Sequence, residues 1–84
     1  MEIYSVPANL AVSDSGFMFL SSTGETFTLN EIGQTIFKLI QQGNSLKEIE
    51  DKILFDYDIN QPSLEKDLTD FIKQLLAYKL LEAK

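Results

Sequence analysis

The stretch TLNEIGQTIFKLIQQGNSLKEI, from Thr28 to Ile49, contains both ends of one helix and the start of a second. Thr28 and Glu31 have the spacing of a capping box, and Asn30 is a competing N-cap, so the helix begins at one of two nearby positions. Gly43 ends this helix, because glycine adopts the left-handed conformation without strain. The apolar residues between these ends share one helical face: Ile32, Ile36, Phe37, Leu39 and Ile40.

A second helix follows after a very short connection. Ser45 and Glu48 repeat the capping-box spacing. Two helices joined in this way must turn sharply against each other, which is the core of a helix-turn-helix. We therefore predict helices near Glu31–Gln42 and Leu46–Tyr57, the second of which ends in the polar segment around Asp58.

The last third of the chain predicts one long helix near Ser63–Lys79. Asn60 or Gln61 is its N-cap, and Pro62 suits its first turn. Its apolar stripe is broader than one face requires: Leu64, Leu68, Phe71, Ile72, Leu75 and Leu76. Leu68 and Ile72 are therefore either core residues or the wall of an open groove.

The first third of the chain predicts strands. Short apolar or alternating segments at Leu10–Val12, Phe17–Leu20 and Glu25–Leu29 are separated by turn-forming residues. In the third of them, Phe27 and Leu29 face one side of the sheet, and Thr26 and Thr28 the other. Residues 2–6 form an irregular or extended arm before Pro7. The expected fold is α+β, with a three-stranded antiparallel sheet followed by three helices.

Composition restricts the function. The chain has 84 residues, which we interpret as one domain spanning 1–84, and a net charge of −6 with no arginine, histidine or cysteine. This acidity opposes binding to nucleic acid. The missing residue types remove the commonest general base and metal ligands, so we expect no catalytic residues, no metal and no cofactor. We expect a cytoplasmic protein without a membrane segment, because no signal region or bilayer-length apolar run is present.

The sequence resembles the PqqD-like family, the precursor-peptide recognition elements of ribosomal peptide modification systems. The resemblance covers about residues 6–82. It is carried by a spacing of apolar and glycine residues: Leu29, Asn30, Gly33, Ile36, Leu39, Gly43, Ile49, Tyr57 and the segment 75–81. The turn-rich segment SDSGFMFLSSTGETFTLN resembles the peptide-chaperone branch of this family. The chain departs from the family pattern at Ile36 or Phe37, where a large aromatic such as tryptophan is frequent, and at Gln42, where an acidic residue is frequent.

The resemblance implies a winged helix-turn-helix fold that binds a precursor leader peptide and catalyses no reaction. The leader adds as a strand beside the third strand, in a groove next to the third helix. We accordingly predict that Thr26, Phe27 and Thr28 present the pairing backbone and that Leu68 and Ile72 line the groove. The domain then presents the leader to a modifying enzyme, which in this family is often a radical-SAM protein.

Two other functions remain as alternatives. The first is a regulatory or protein-interaction domain, including a homodimer built on the same strand edge. Thus both a monomer and a dimer are compatible with the sequence. The second is a winged-helix DNA-binding domain, but its recognition helix would be the third one, which carries more acidic than basic residues.

Overall fold

The computed structural model describes residues 3–83, and in it a small sheet precedes three helices. The order of elements is β1 (Tyr4–Ser5), β2 (Leu10–Val12), β3 (Phe17–Leu20), β4 (Glu25–Thr28), α1 (Glu31–Gln41), α2 (Leu46–Asp56), α3 (Gln61–Ala77) and β5 (Glu82–Ala83). Strands β2, β3 and β4 form the antiparallel sheet in that order. The predicted α+β class is confirmed.

The N-cap of the first helix is Asn30 rather than Thr28. The Asn30 side-chain oxygen accepts the Gly33 N–H at 2.8 Å, as an N-cap residue does. Thr28 is instead paired with Phe17 in the sheet, and the ladder continues one residue further through Leu29. Of the two candidate N-cap residues, Thr28 therefore belongs to the strand, and Asn30 is the cap.

The other two helix starts agree with the sequence prediction. At α2, the Ser45 N–H donates to the Glu48 carboxylate at 2.8 Å, and the Glu48 N–H donates to the Ser45 hydroxyl at 3.2 Å. These two bonds form a complete capping box. At α3, Asn60 accepts the Ser63 N–H at 3.2 Å, and Pro62 lies in the first turn.

Two helices end in the same motif with different residues at its left-handed position. After α1, Gly43 has φ +89°, and the Asn44 N–H donates to the Leu39 carbonyl at 3.2 Å. After α3, the Leu80 N–H donates to the Leu75 carbonyl at 2.8 Å. This is the Schellman arrangement in both cases. In the second one, however, the left-handed residue is Lys79, with φ +62°.

We expect the Lys79→Gly variant to be more stable than the natural protein. The left-handed conformation costs a residue with a Cβ about 1–2 kcal/mol, part of which glycine's larger unfolded-state entropy offsets. A net gain of about 0.5–1 kcal/mol should appear as a higher melting temperature in a circular dichroism melt. The Lys79→Ala variant is the control, because it removes the side chain but keeps the Cβ. Equal stabilisation by both variants would contradict the backbone explanation.

The core lies between the inner face of the sheet and the three helices. Its most deeply buried side chains come from β3, α1 and α2: Met18, Leu20, Phe37, Ile40, Ile49 and Ile53. Helix α3 contributes the buried side chains of Leu64, Leu68, Ile72 and Leu75. Helices α1 and α2 pack against each other across the short connection 42–45, and α2 also packs against α3.

The segment before Pro7 is ordered by the other end of the chain. An extended or irregular arm was predicted for residues 2–6. The structure pairs Tyr4 with Ala83 and Ser5 with Glu82, in a two-stranded antiparallel sheet. Glu2 lies outside the described residues. Sequence periodicity could not predict this pairing, because each strand has only two residues.

Candidate functional site

Strand β4 is an edge strand of the three-stranded sheet, and its hydrogen-bonding pattern identifies its outward groups. The Leu29 N–H donates to the Gly16 carbonyl at 2.9 Å. Hydrogen-bonded and non-hydrogen-bonded residue pairs alternate along an antiparallel ladder. Phe27, two residues before Leu29, therefore also directs its N–H and C=O groups toward β3. Thr26 and Thr28 therefore direct their N–H and C=O groups away from β3. Among the described residues, no strand pairs with this edge.

A groove of about 520 Å³ lies between β4, the start of α1 and α3. We call it the β4–α3 groove. Its floor consists of buried apolar side chains from the sheet, from α1, from α3 and from the segment after α3: Met18, Ile36, Leu64, Leu68, Leu75 and Leu80. Its upper walls are less buried: Phe27, Thr28, Leu29, Asn30, Ile32, Ile59, Asp67, Phe71, Gln74 and Tyr78.

Two aromatic residues bring α3 and its end close to β4 and to the start of α1. The rings of Phe27 and Tyr78 lie 5.5 Å apart, centroid to centroid, with their planes tilted by 51°. Further along, the Phe71 ring lies beside Gly33, where an added Cβ would be in van der Waals contact with it at 3.5 Å. A Cβ at Gly33 would also come within 3.0 Å of the capping oxygen of Asn30. Glycine at this position thus leaves room for the Asn30 cap, whereas the distance to Phe71 is that of an ordinary van der Waals contact.

Four of the five predicted site residues lie together at this groove or on its edge. Thr26 and Thr28 carry the outward backbone groups of β4, while the half-buried Phe27 directs its side chain into the groove. Leu68 lines the groove from α3, but it is only 4% exposed and belongs equally to the core. Leu68 is therefore both a core residue and part of the groove lining, so these two predicted roles do not exclude each other.

The structure does not place Ile72 in the groove. Ile72 is 3% exposed and packs in the core. Successive helical residues are rotated by about 100°, so Ile72 and Phe71 lie on opposite borders of the apolar stripe of α3. The border with Phe71 and Tyr78 faces β4, whereas Leu76, on the other border, lines a separate pocket together with Pro7 and Leu20. The breadth of the stripe was readable from the sequence, but which border faces β4 depends on how α3 packs.

Sequence reasoning missed Tyr78, Gln74 and Asp67 as groove residues. Together with Phe71, they form a row along α3 with helical spacing, one step away from the buried leucines. The available signal was an aromatic pair seven residues apart, Phe71 and Tyr78. It lies beside an apolar stripe that is already wide enough to cover the core. The apolar spacing of α3 assigns Phe71 to the buried stripe, and this assignment hides the row.

The lining of the groove contains few polar side chains. It is mainly apolar, and Asp67 is the one charged side chain among the lining residues that the structure describes. No cluster of metal-ligating side chains occurs within residues 3–83. Over the same residues, no helix is both long and apolar enough to cross a membrane.

The fold and the groove define a small sheet-and-helix module with a free strand edge beside an apolar cleft. The family model for coenzyme PQQ synthesis protein D (PqqD) matches residues 16–81. A solved structure, TbiB1 in complex with the TbiA(beta) leader peptide, is 31% identical in sequence, with a TM-score of 0.84 over 93% of this chain and 94% of that chain. Among curated proteins, the comparison found no significant match.

This chain belongs to the PqqD family. The matched region starts at the turn before β3 and ends after α3, so it includes β4 and every element that forms the groove. The resemblance read from the sequence is thereby confirmed.

Proposed function

We propose that this protein binds the leader segment of a ribosomally made precursor peptide, which adds as a strand to the edge of β4. The observation that carries the proposal is the free edge at Thr26 and Thr28 beside an apolar groove. The similar fold of TbiB1, whose structure contains a leader peptide, supports it. The proposed occupant is therefore an extended peptide with apolar side chains.

The geometry divides the binding between backbone and side chains. The outward N–H and C=O groups of Thr26 and Thr28 bond to the peptide backbone with little regard to its sequence. Alternate peptide side chains enter the β4–α3 groove, where they meet Phe27, Phe71 and Tyr78. A few main-chain hydrogen bonds and one groove of this size should give a dissociation constant of order micromolar, which corresponds to a binding free energy of about −8 kcal/mol.

The protein's role in this proposal is presentation. Binding the leader raises the local concentration of the attached precursor beside a modifying enzyme, of which a radical-SAM enzyme is our first choice. The domain, which we take to span 1–84, contributes no catalytic residue. The mainly apolar groove, in which Asp67 is the one charged side chain among the described lining residues, supports this part of the proposal.

The direct test is titration of the purified protein with the leader of a short precursor encoded beside its gene. Fluorescence anisotropy of the labelled leader should report saturable binding near micromolar concentration, and the core segment of the same precursor should not compete. Binding of the core segment but not of the leader would contradict the proposal.

Self-pairing is the second candidate, because a free edge accepts another copy of β4 as readily as a peptide. Apolar surface on the outer face of the sheet adds to the case for association between copies, because Phe17 is 47% exposed and Phe19 42%. Sedimentation over a range of concentrations tests this function. A dimer that dissociates when leader is added would show that both ligands use the same edge.

We expect no binding to duplex DNA at physiological salt. The net charge is −6, and on α3 the ammonium of Lys66 is already paired with Asp70 at 3.3 Å. Phosphate binding requires several free cations, which this helix does not offer. Anisotropy with a labelled duplex checks this prediction, and micromolar binding that weakens with salt would contradict it.

A further inference from the structure

Asp67 is a charged residue in an otherwise uncharged groove. Its exposed side chain lines the β4–α3 groove, and within the described residues it makes neither a hydrogen bond nor an ion pair. The neighbouring acidic residues of α3 differ in this respect. Asp70 is paired with Lys66 at 3.3 Å, and Glu65 accepts a bond from Gln61 at 3.1 Å.

A peptide in the groove would change the surroundings of this carboxylate. The peptide would displace water, and a carboxylate that loses water without a partner is destabilised. The groove lining described here contains no lysine that could compensate it. A cation on the peptide would compensate this loss, and a peptide with an acidic residue at the same place would be disfavoured by repulsion.

The contacts along the groove indicate where this cation lies. Tyr78 is opposite Phe27, and Phe71, earlier in α3, is beside Gly33, which follows β4 in the chain. Helix α3 therefore runs antiparallel to β4. Asp67 is one turn before Phe71 and therefore lies beyond the Thr28 end of the strand. A peptide that continues the antiparallel sense of this sheet would bring its N-terminal end there.

We propose that Asp67 selects leader peptides that carry a lysine or arginine at the N-terminal end of the segment paired with β4. This inference rests on the proposed function and specifies its ligand class. The main-chain bonds and the apolar groove supply most of the affinity, while Asp67 determines the register and the sign of charge that the site accepts.

The test is selection of peptides from a randomised display library on the immobilised full chain and on Asp67→Lys. The natural protein should enrich lysine or arginine at one fixed position of the selected peptides, and Asp67→Lys should enrich aspartate or glutamate at that position. Asp70→Lys is the matched control. It changes the net charge equally, but Asp70 does not line the groove, so it should keep the preference for a cation.

One selected peptide and its cation-to-glutamate variant are then titrated against both proteins. Exchanging either charge alone should weaken binding about tenfold, and exchanging both should restore it, with a smaller difference at high salt. If the selected peptides bind Thr28→Pro more weakly but show no charge preference, the proposed role of Asp67 is wrong while strand addition to β4 stands. If the selected peptides bind Thr28→Pro unchanged, the groove is not their site and the proposed function fails as well.

Discussion

Thr28→Pro should reduce leader binding about 10- to 100-fold while leaving the protein folded. Thr28 directs its N–H outward, as the bond from Leu29 to Gly16 in the same register requires. Proline would remove this donor and leave a peptide carbonyl without its partner, which costs about 1–3 kcal/mol in addition to the lost bond. Proline is tolerated on an edge strand when the missing N–H faces outward, so the ladder with β3 should survive. Leader titrations and a melting curve for the same preparation measure both quantities.

Two control variants separate the backbone effect from other causes. Thr28→Val keeps the N–H and the branched side chain, so it should bind the leader nearly as well as the natural protein. Val12→Pro removes an N–H that faces outward on β2. The adjacent Ser13 N–H donates to the Phe17 carbonyl of β3, so the Val12 N–H points the opposite way. This opposite edge should not matter for the leader. Equal loss of binding in Thr28→Val and Thr28→Pro would refute pairing through the Thr28 backbone.

Leu68→Ala should lower the free energy of unfolding by about 2–5 kcal/mol, the range for emptying a packed core position. Leu68 is 4% exposed, and although it lines the groove, its other neighbours are in the core. A chain of this size has roughly 4–13 kcal/mol of stability at about 0.05–0.15 kcal/mol per residue. The variant is therefore expected to lose a large part of its stability. Urea denaturation followed by circular dichroism gives the value.

Leu68→Met is the matched control, because it nearly conserves volume and should cost less than about 1.5 kcal/mol. Leader binding of Leu68→Ala must be measured where the variant is still folded, and there it should weaken moderately, since the floor of the groove is enlarged. An unchanged unfolding midpoint together with a large loss of binding would mean that Leu68 is a surface contact and not a core residue.

The elements with strong local signals were predictable from the sequence, and those set by packing were not. The capping box at Ser45 and Glu48 and the helix end at Gly43 follow from short-range hydrogen bonds and backbone conformation. The choice of Asn30 over Thr28 as N-cap depended on how far the β4 ladder extends, which is a tertiary property.

The candidate site shows the same division. Alternation along β4 correctly separated the side chains of Phe27 and Leu29 from those of Thr26 and Thr28. It could not show that the Phe71 border of α3, rather than the Ile72 border, faces the strand. Asp67 was likewise visible only as one of several acidic residues of α3 until the packing placed it on the groove.

The most direct test of strand addition is amide mapping by NMR while the leader is titrated into the labelled protein. The account predicts that the amides of Thr26 and Thr28 shift strongly and become protected from hydrogen exchange. Val12, on the opposite edge, should stay unchanged. Shifts that map to the first helix and miss residues 26–29 altogether would contradict the central claim.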